Sequence, residues 1–313
     1  MSGATKIEWT DATWNPVTGC TKVSAGCKFC YAERDFHRPY PGRAFTDVRT
    51  HPERLDWPLR WRGSKQAKAE GRPSRIFVNS MSDLFHEDVP DDFLTAVFAT
   101  MGMAERQVFQ VLTKRGQRAA AYLKSRTIFG KRRTLPNVWL GVSVEDQQTA
   151  DERIPILLQT PAAVRWVSYE PALGPVDFKN FTPGRISPGW TGRADEPCQA
   201  DWGLDWIVAG GESGPRARPP HPDWFRKVRD DCQAAGVPFF FKQWGAWRPC
   251  EHGENPHAAV NPNGDQVVPL PSEFGPFPPR DRMRFVGKKK AGCLLDGREH
   301  KEFPQMQEVG NRK

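Results

Sequence analysis

Arg75-Ile76-Phe77-Val78-Asn79, followed by the polar turn Ser80-Met81-Ser82-Asp83, is the unit from which the fold can be read. A short apolar run bounded by turn residues predicts a buried strand. A helix is expected next, from about Pro90 to Glu105. Pro90 suits a first helical turn, and Phe93, Leu94, Val97, Phe98 and Met101 fall on one stripe at helical spacing. The same step then recurs along the chain. Val108-Phe109-Gln110-Val111-Leu112 predicts a strand ending at Thr113-Lys114-Arg115, with a helix through Ala119, Ala120, Tyr122 and Leu123. Val138-Trp139-Leu140-Gly141-Val142 predicts another, ending at Ser143-Val144-Glu145. Its helix runs from about Asp146 to Leu158 and is disturbed at Pro155. Three further strands are expected: 164–169, ending at Glu170-Pro171; 204–209, ending in Gly210-Gly211-Glu212; and 237–241, ending at Lys242-Gln243-Trp244-Gly245. A helix from Pro222, capped by Gly236, separates the last two.

Strands alternating with helices predict an α/β fold with a parallel sheet, a partial or complete (β/α) barrel of six to seven units. Chemistry in such barrels sits on the loops after the strands, and a doubly wound open sheet places ligands at the same edge. Ser80, Asp83, Lys114, Arg115, Ser143, Glu145, Glu170, Glu212 and Lys242 all follow apolar runs and collect there. Residues 5–17 read as an opening strand with Ile7, Trp9 and Val17 on its apolar side, Trp9 and Trp14 being core or lid aromatics. Residues 174–203 are a Pro/Gly-rich insertion. Residues 1–248 are expected to form the barrel domain. Beyond it, 249–280 hold eight prolines and read as a linker or extended arm, and 281–313 as an irregular, basic C-terminal element.

The 313-residue chain can bury a substantial core. It has no apolar run long enough to cross a bilayer and no charged-then-apolar leader, so a cytoplasmic protein without membrane partners is expected. The formal charge is +8 and uneven. Residues 31–75 carry eleven Lys/Arg against six Asp/Glu, and residues 280–313 carry ten against five. In 31–75 the arginines interleave with Tyr31, Phe36, Tyr40, Phe45, Trp57 and Trp61, a mixture that can hold phosphates and stack bases. DNA or RNA is the partner this predicts. A solvated lid whose aromatics pack inward gives the same pattern.

Seven cysteines, an odd number, argue against a disulfide framework and for a reducing compartment. Three of them crowd into Cys20-Thr21-Lys22-Val23-Ser24-Ala25-Gly26-Cys27-Lys28-Phe29-Cys30, spaced C-x6-C-x2-C. Three soft thiolates suit an iron–sulfur cluster or zinc. On a four-iron cubane, three cysteines leave one iron open to a ligand. Zinc in a closed site wants a fourth ligand, for which His37 is nearest. Cys198, Cys232, Cys250 and Cys293 are too scattered for a second cluster, and Cys232 falls in a helical pattern as a core residue.

The cysteine loop, with Phe29 just before its last thiol, resembles that of radical S-adenosylmethionine (SAM) enzymes, although their first gap is three residues rather than six. The chain resembles more closely a phage and prophage family with a three-cysteine motif and radical-SAM-like character. The resemblance is carried by Trp14-Asn15-Pro16-Val17-Thr18-Gly19-Cys20, by 77–85, by Gly210-Gly211-Glu212-Ser213-Gly214 and by Leu294-Leu295-Asp296-Gly297-Arg298. It implies that Cys20, Cys27 and Cys30 hold a [4Fe-4S] cluster whose open iron takes SAM, with Phe29 near the adenine. Ser80, Ser82 and Asp83 stand where such enzymes carry a Gly-Gly-Glu motif for the SAM amine. Here that string occurs only at 210–212, several strands later. Ser143 and Glu145 are further cofactor candidates, Glu170, Glu212 and Lys242 catalytic candidates, and Lys114, Arg115 and Trp244 substrate contacts. The plain alternatives are helix caps for Ser143, Glu145 and Glu170, ion pairs for the cations, and packing for Tyr169, which could otherwise relay a radical. An electron donor would be a partner, and repair or modification of a nucleic acid the reaction. A non-catalytic, zinc-stabilised nucleic-acid-binding protein is the alternative from another class.

Overall fold

A computed structural model describes residues 3–125, 134–181, 203–251, 253–264, 267–269 and 281–305. Seven parallel strands frame it: β1 (Ala12–Thr13), β2 (Ser74–Val78), β3 (Gln107–Thr113), β4 (Val138–Val144), β5 (Val164–Tyr169), β6 (Trp206–Gly210) and β7 (Phe239–Gln243), ordered in the sheet as in the chain. The α/β class and the number of units are those the sequence rhythm predicts. Residues 31–35 form α1, Trp57–Arg60 α2 and Lys65–Ala69 α3. After β2 comes α4 (Asp91–Met103), after β3 α5 (Gly116–Ser125), after β4 α6 (Gln147–Leu158), and after β6 α7 (Pro222–Ala235). The helix α6 keeps Pro155 inside it. Gly236 closes α7 in the left-handed region at φ +67°, where a glycine avoids the Cβ penalty.

The chain divides into two compact units, residues 1–142, 155–166 and 304–313 in one and 143–154 with 167–303 in the other. In the first, β2 and β3 pair with Phe77 opposite Gln110, and β3 and β4 with Val111 opposite Leu140. Trp9 and Trp14 are both core residues. Trp9 meets Phe77 and Trp166 edge-on, and Trp14 lies against Phe109. Gly141 makes room for Trp166, since a Cβ there would lie 2.4 Å from the indole ring. In the second unit β6 and β7 pair with Val208 opposite Phe240, and Phe225, Phe241 and Trp244 interlock over them.

Two expectations need correction. Residues 5–17 do not form one strand. Asp11 turns the chain by accepting from the Arg75 backbone and side chain of Arg72, which leaves only the two-residue β1 and, at Val17–Thr18, a short pairing with Arg49–Thr50. The stretch 249–280 is not a bare arm. Strands β8 (Trp247–Pro249), β9 (Ala258–Val260), β10 (Val267–Pro269) and β11 (Arg282–Phe285) form an antiparallel sheet in the order β8-β11-β9-β10. Strands of three or four residues are too short to show an alternating pattern in sequence. The chain then returns, Lys301 bridging to Phe240. Most of the predicted 174–203 insertion, with Cys198, and the prolines of 271–279 lie outside the described residues. No helix among those described is long and apolar enough to cross a membrane.

Candidate functional site

In the first unit the thiol loop is fixed at its start. Gly19 adopts φ +90°, and a Cβ there would lie 2.5 Å from the Asp47 carbonyl oxygen. Only glycine fits, which accounts for the residue before Cys20. The Cys20 amide donates to Phe45 O (2.8 Å) and the Gly19 amide to Met81 O (3.1 Å). The turn after β2 is clamped by Asn15, whose Oδ1 accepts from the Ser80 and Met81 amides at 2.8 and 3.0 Å. Cys20 and Cys30 pack on the buried trio Ala32, Phe36 and Phe45.

All three loop cysteines are free and half-buried. Burial and then the Asp83 charge push the Cys20 thiol up to about 11, against the pull of Arg115. Burial likewise raises Cys30, while the backbone N–H groups of Glu33 and Ala32 work the other way. Beside these larger causes, the charge of Cys27 also acts upward on both. Arg115 donates from Nη1 to Cys20 Sγ (3.5 Å), from Nη2 to Thr21 Oγ1 (2.8 Å) and from Nε to Glu87 (2.9 Å). The donor chemistry fits a thiolate-bound centre beside a fixed cation. Among the described residues no group of three His, Cys, Asp or Glu is already arranged to hold a metal ion. A shared centre therefore requires the thiols to draw together and lose their protons. His37 is exposed just beyond α1. Phe29 is half-buried beneath the Lys28 ammonium.

The cofactor candidates after β2 are already engaged. Ser80 is held by Asn15, and Ser82 Oγ donates to Val17 O (2.8 Å). Asp83 accepts from Thr113 Oγ1, the Phe85 and Lys114 amides, and Arg115, so its oxygens tie the ends of β2 and β3 together. Lys114 thus enters through its backbone as well as its charge on Cys30.

In the second unit the strand-end residues form pairs. Glu170, after β5, takes the Lys242 ammonium at 2.7 and 2.9 Å and the Gln243 amide at 3.2 Å. Glu145 is fully buried against Arg153 (3.2 Å), which also donates to the Ser143 carbonyl. Glu212 receives the Arg218 guanidinium and backbone amide within 2.6–2.8 Å, closing the loop between them. Gly211 and Gly245 mark a backbone crossing. A Cβ on Gly211 would lie 2.0 Å from Trp244 O, and one on Gly245 2.2 Å from Glu212 O. The string Gly210-Gly211-Glu212 is thereby explained by close approach and a loop clasp. Trp244 is a core residue, its indole N–H bonded to Leu294 O, and Tyr169 is fully buried, donating to Gly174 O.

Two residues escaped the sequence reading. Asn79 is 4% exposed, yet neither its amide nitrogen nor its oxygen has a hydrogen-bond partner among the described residues. It directly precedes Ser80. A polar residue closing an apolar run was the available signal. His86 is buried; the Asp88 amide donates to its Nδ1, so the neutral ring carries its proton on Nε2 and donates to Thr21 Oγ1 (2.9 Å). Burial and then the Arg115 charge lower its pKa.

No curated protein matches the chain, and no solved structure does. The pattern of a family described as "Protein of unknown function (DUF5131)" matches residues 4–304, nearly the whole length, and the chain belongs to that family.

Proposed function

We propose that this protein is a radical-SAM-like iron–sulfur enzyme acting on a nucleic acid, in which Cys20, Cys27 and Cys30 hold a [4Fe-4S] cluster. The observation that carries the reading is a set of three free, half-buried thiols in one loop, with Arg115 hydrogen bonded to the first. When bound, the cluster and SAM would supply hydrogen-abstracting radical chemistry, drawing on an external electron donor. The chain's own residues hold and orient. Arg115 offsets thiolate charge at Cys20 Sγ, and Asp83 fixes Arg115 while joining the two strand ends. Asn79 offers an unsatisfied amide beside the Ser80–Asp83 turn, where a ligand's polar edge would complete it. In the second unit, Lys242 Nζ and Glu170 Oε2 stand 2.7 Å apart, a distance across which a proton can pass. A reducing, cytoplasmic setting suits three thiols kept for a metal.

The test is iron and acid-labile sulfide content after anaerobic purification, with the Cys20→Ala/Cys27→Ala/Cys30→Ala variant alongside. About four irons and four sulfides per chain, lost in the variant, are expected. One zinc without sulfide would overturn the reading in favour of a zinc-stabilised binding protein.

A further inference from the structure

A second site lies at the other end of the strands. Ser74 and Gln107, the first residues of β2 and β3, floor a cleft of about 740 Å³. One wall is α2 and the turn after it, Pro58 to Gly63; the other is the end of α4 and the turn 103–106. The frame is fixed. Gln107 Nε2 donates to Trp61 O (3.3 Å), the Ser64 amide donates to Ser74 Oγ (2.8 Å), and Gly63, at φ +84°, has no room for a side chain against Ser74.

Its lining is basic and apolar at once. Arg60, Arg62, Lys68, Arg72 and Arg106 face one acid, Glu105. Arg60 pairs with Asp56, and Arg72 with Asp11 and Glu70, but no ion pair holds Arg62, Lys68 or Arg106 among the described residues. Leu59 and Met103, 46% and 64% exposed, line the cleft together with Trp61, whose indole stacks on Trp57 with 5.2 Å between ring centroids. Three uncommitted cations ask for a polyanion. An indole and two exposed apolar side chains in the same lining ask for flat, apolar faces. A duplex offers its phosphates but hides its base faces; a single strand offers both.

We infer that this cleft binds single-stranded nucleic acid, phosphates on Arg62, Lys68 and Arg106 and a base against Trp61, Leu59 and Met103. The inference rests on the nucleic-acid reading of the substrate given above. The cleft stands one length of β2, about 16 Å, from the strand ends that carry the thiol loop. It would therefore grip the strand flanking a reacting nucleotide rather than the nucleotide itself.

The experiment is fluorescence anisotropy with labelled single-stranded DNA and RNA oligonucleotides and a duplex of the same sequence. The proteins are the wild type, Arg62→Glu/Arg106→Glu, Leu59→Ser/Met103→Ser and, as an equal charge change elsewhere, Lys289→Glu/Lys290→Glu. Iron and sulfide are measured on the same preparations. Three phosphate contacts predict that affinity for a single strand falls roughly twentyfold between 50 and 200 mM salt. The cleft reversal should weaken it by more than about tenfold, and the Lys289/Lys290 reversal by less than about threefold. The serine pair should weaken single-strand binding and narrow its margin over duplex. Equal loss in the two charge reversals, or duplex bound as tightly as single strand, overturns the cleft while leaving a nucleic-acid substrate standing. No binding of any oligonucleotide at low salt overturns both, and the iron content then reports separately on the cluster.

Discussion

Arg115 donates through Nη1 to the sulfur of Cys20 at 3.5 Å and, through the same nitrogen, to Oδ2 of Asp83 at 3.4 Å. The guanidinium and the carboxylate are both largely buried, so the arginine links the thiol loop to a strand-end anion that water does not screen. Removing the cation leaves Asp83 with neutral donors alone. Arg115→Ala should lower unfolding stability by about 3 kcal/mol and reduce iron retained per chain, whereas Arg115→Lys should keep part of both. Urea unfolding with iron analysis checks this, and wild-type values for both quantities in Arg115→Ala would refute it.

The Gly-Gly-Glu string at 210–212 offers a sharp contrast between neighbours. A methyl group on Gly211 would meet backbone at 2.0 Å, which no side-chain adjustment relieves. On Gly210 the nearest atoms would be 3.4 Å away, an ordinary contact with Gln243 O and the Glu170 carboxylate. Gly211→Ala should therefore abolish soluble expression or cost several kcal/mol, roughly the upper range for a single substitution. Gly210→Ala should stay folded. Similar behaviour of the two would mean that the backbone crossing is not what the string is for.

The sheet was legible because its strands are apolar runs and its helix α4 carries a stripe at helical spacing, while α7 was marked by Pro222 and Gly236. Their ends were legible for chemical reasons too, Gly236 being where a left-handed cap was needed. The candidate site was legible as residue types at strand ends but not as pairs. Sequence could not say that Glu212 closes on Arg218 six residues ahead, that Trp244 faces the core, or that Asp83 spends its oxygens on β3. The first depends on how a loop folds back on itself, the others on which strand lies beside which and on the direction a side chain leaves it. The sheet of 247–285 was hidden for another reason, since its strands are shorter than the window in which alternation can be seen.

Asp11 gives the pH dependence. Burial pushes its carboxyl up, but hydrogen bonds from Arg72 and the Arg75 amide, with the charges of both arginines, outweigh it and the net shift is downward. A carboxyl held lower in the folded than in the unfolded chain stabilises the fold above its unfolded pKa, near 3.8. That contribution is lost as pH falls through the lower folded value. Asp11→Asn should cost about 2 kcal/mol at pH 7 and flatten the acid limb of stability below about pH 4. Denaturant midpoints measured from pH 3 to 8 test it; a constant difference between variant and wild type across that range would count against the linkage.

Asn79 should separate stability from function. Its buried amide lacks hydrogen-bond partners among the described residues, and an unsatisfied buried polar group costs about 1–3 kcal/mol. A leucine, branched at Cγ like asparagine though larger, removes that cost. Asn79→Leu should thus be as stable as the wild type or more so, by about 1 kcal/mol. If the amide serves a ligand's polar edge, the same substitution should weaken SAM binding to the anaerobically prepared protein by about tenfold or more, leaving iron content unchanged. Equilibrium dialysis with labelled SAM, beside thermal unfolding, reads both. A loss of stability with unchanged binding would make Asn79 a structural residue whose partners form in some other way, and the ligand role would fall.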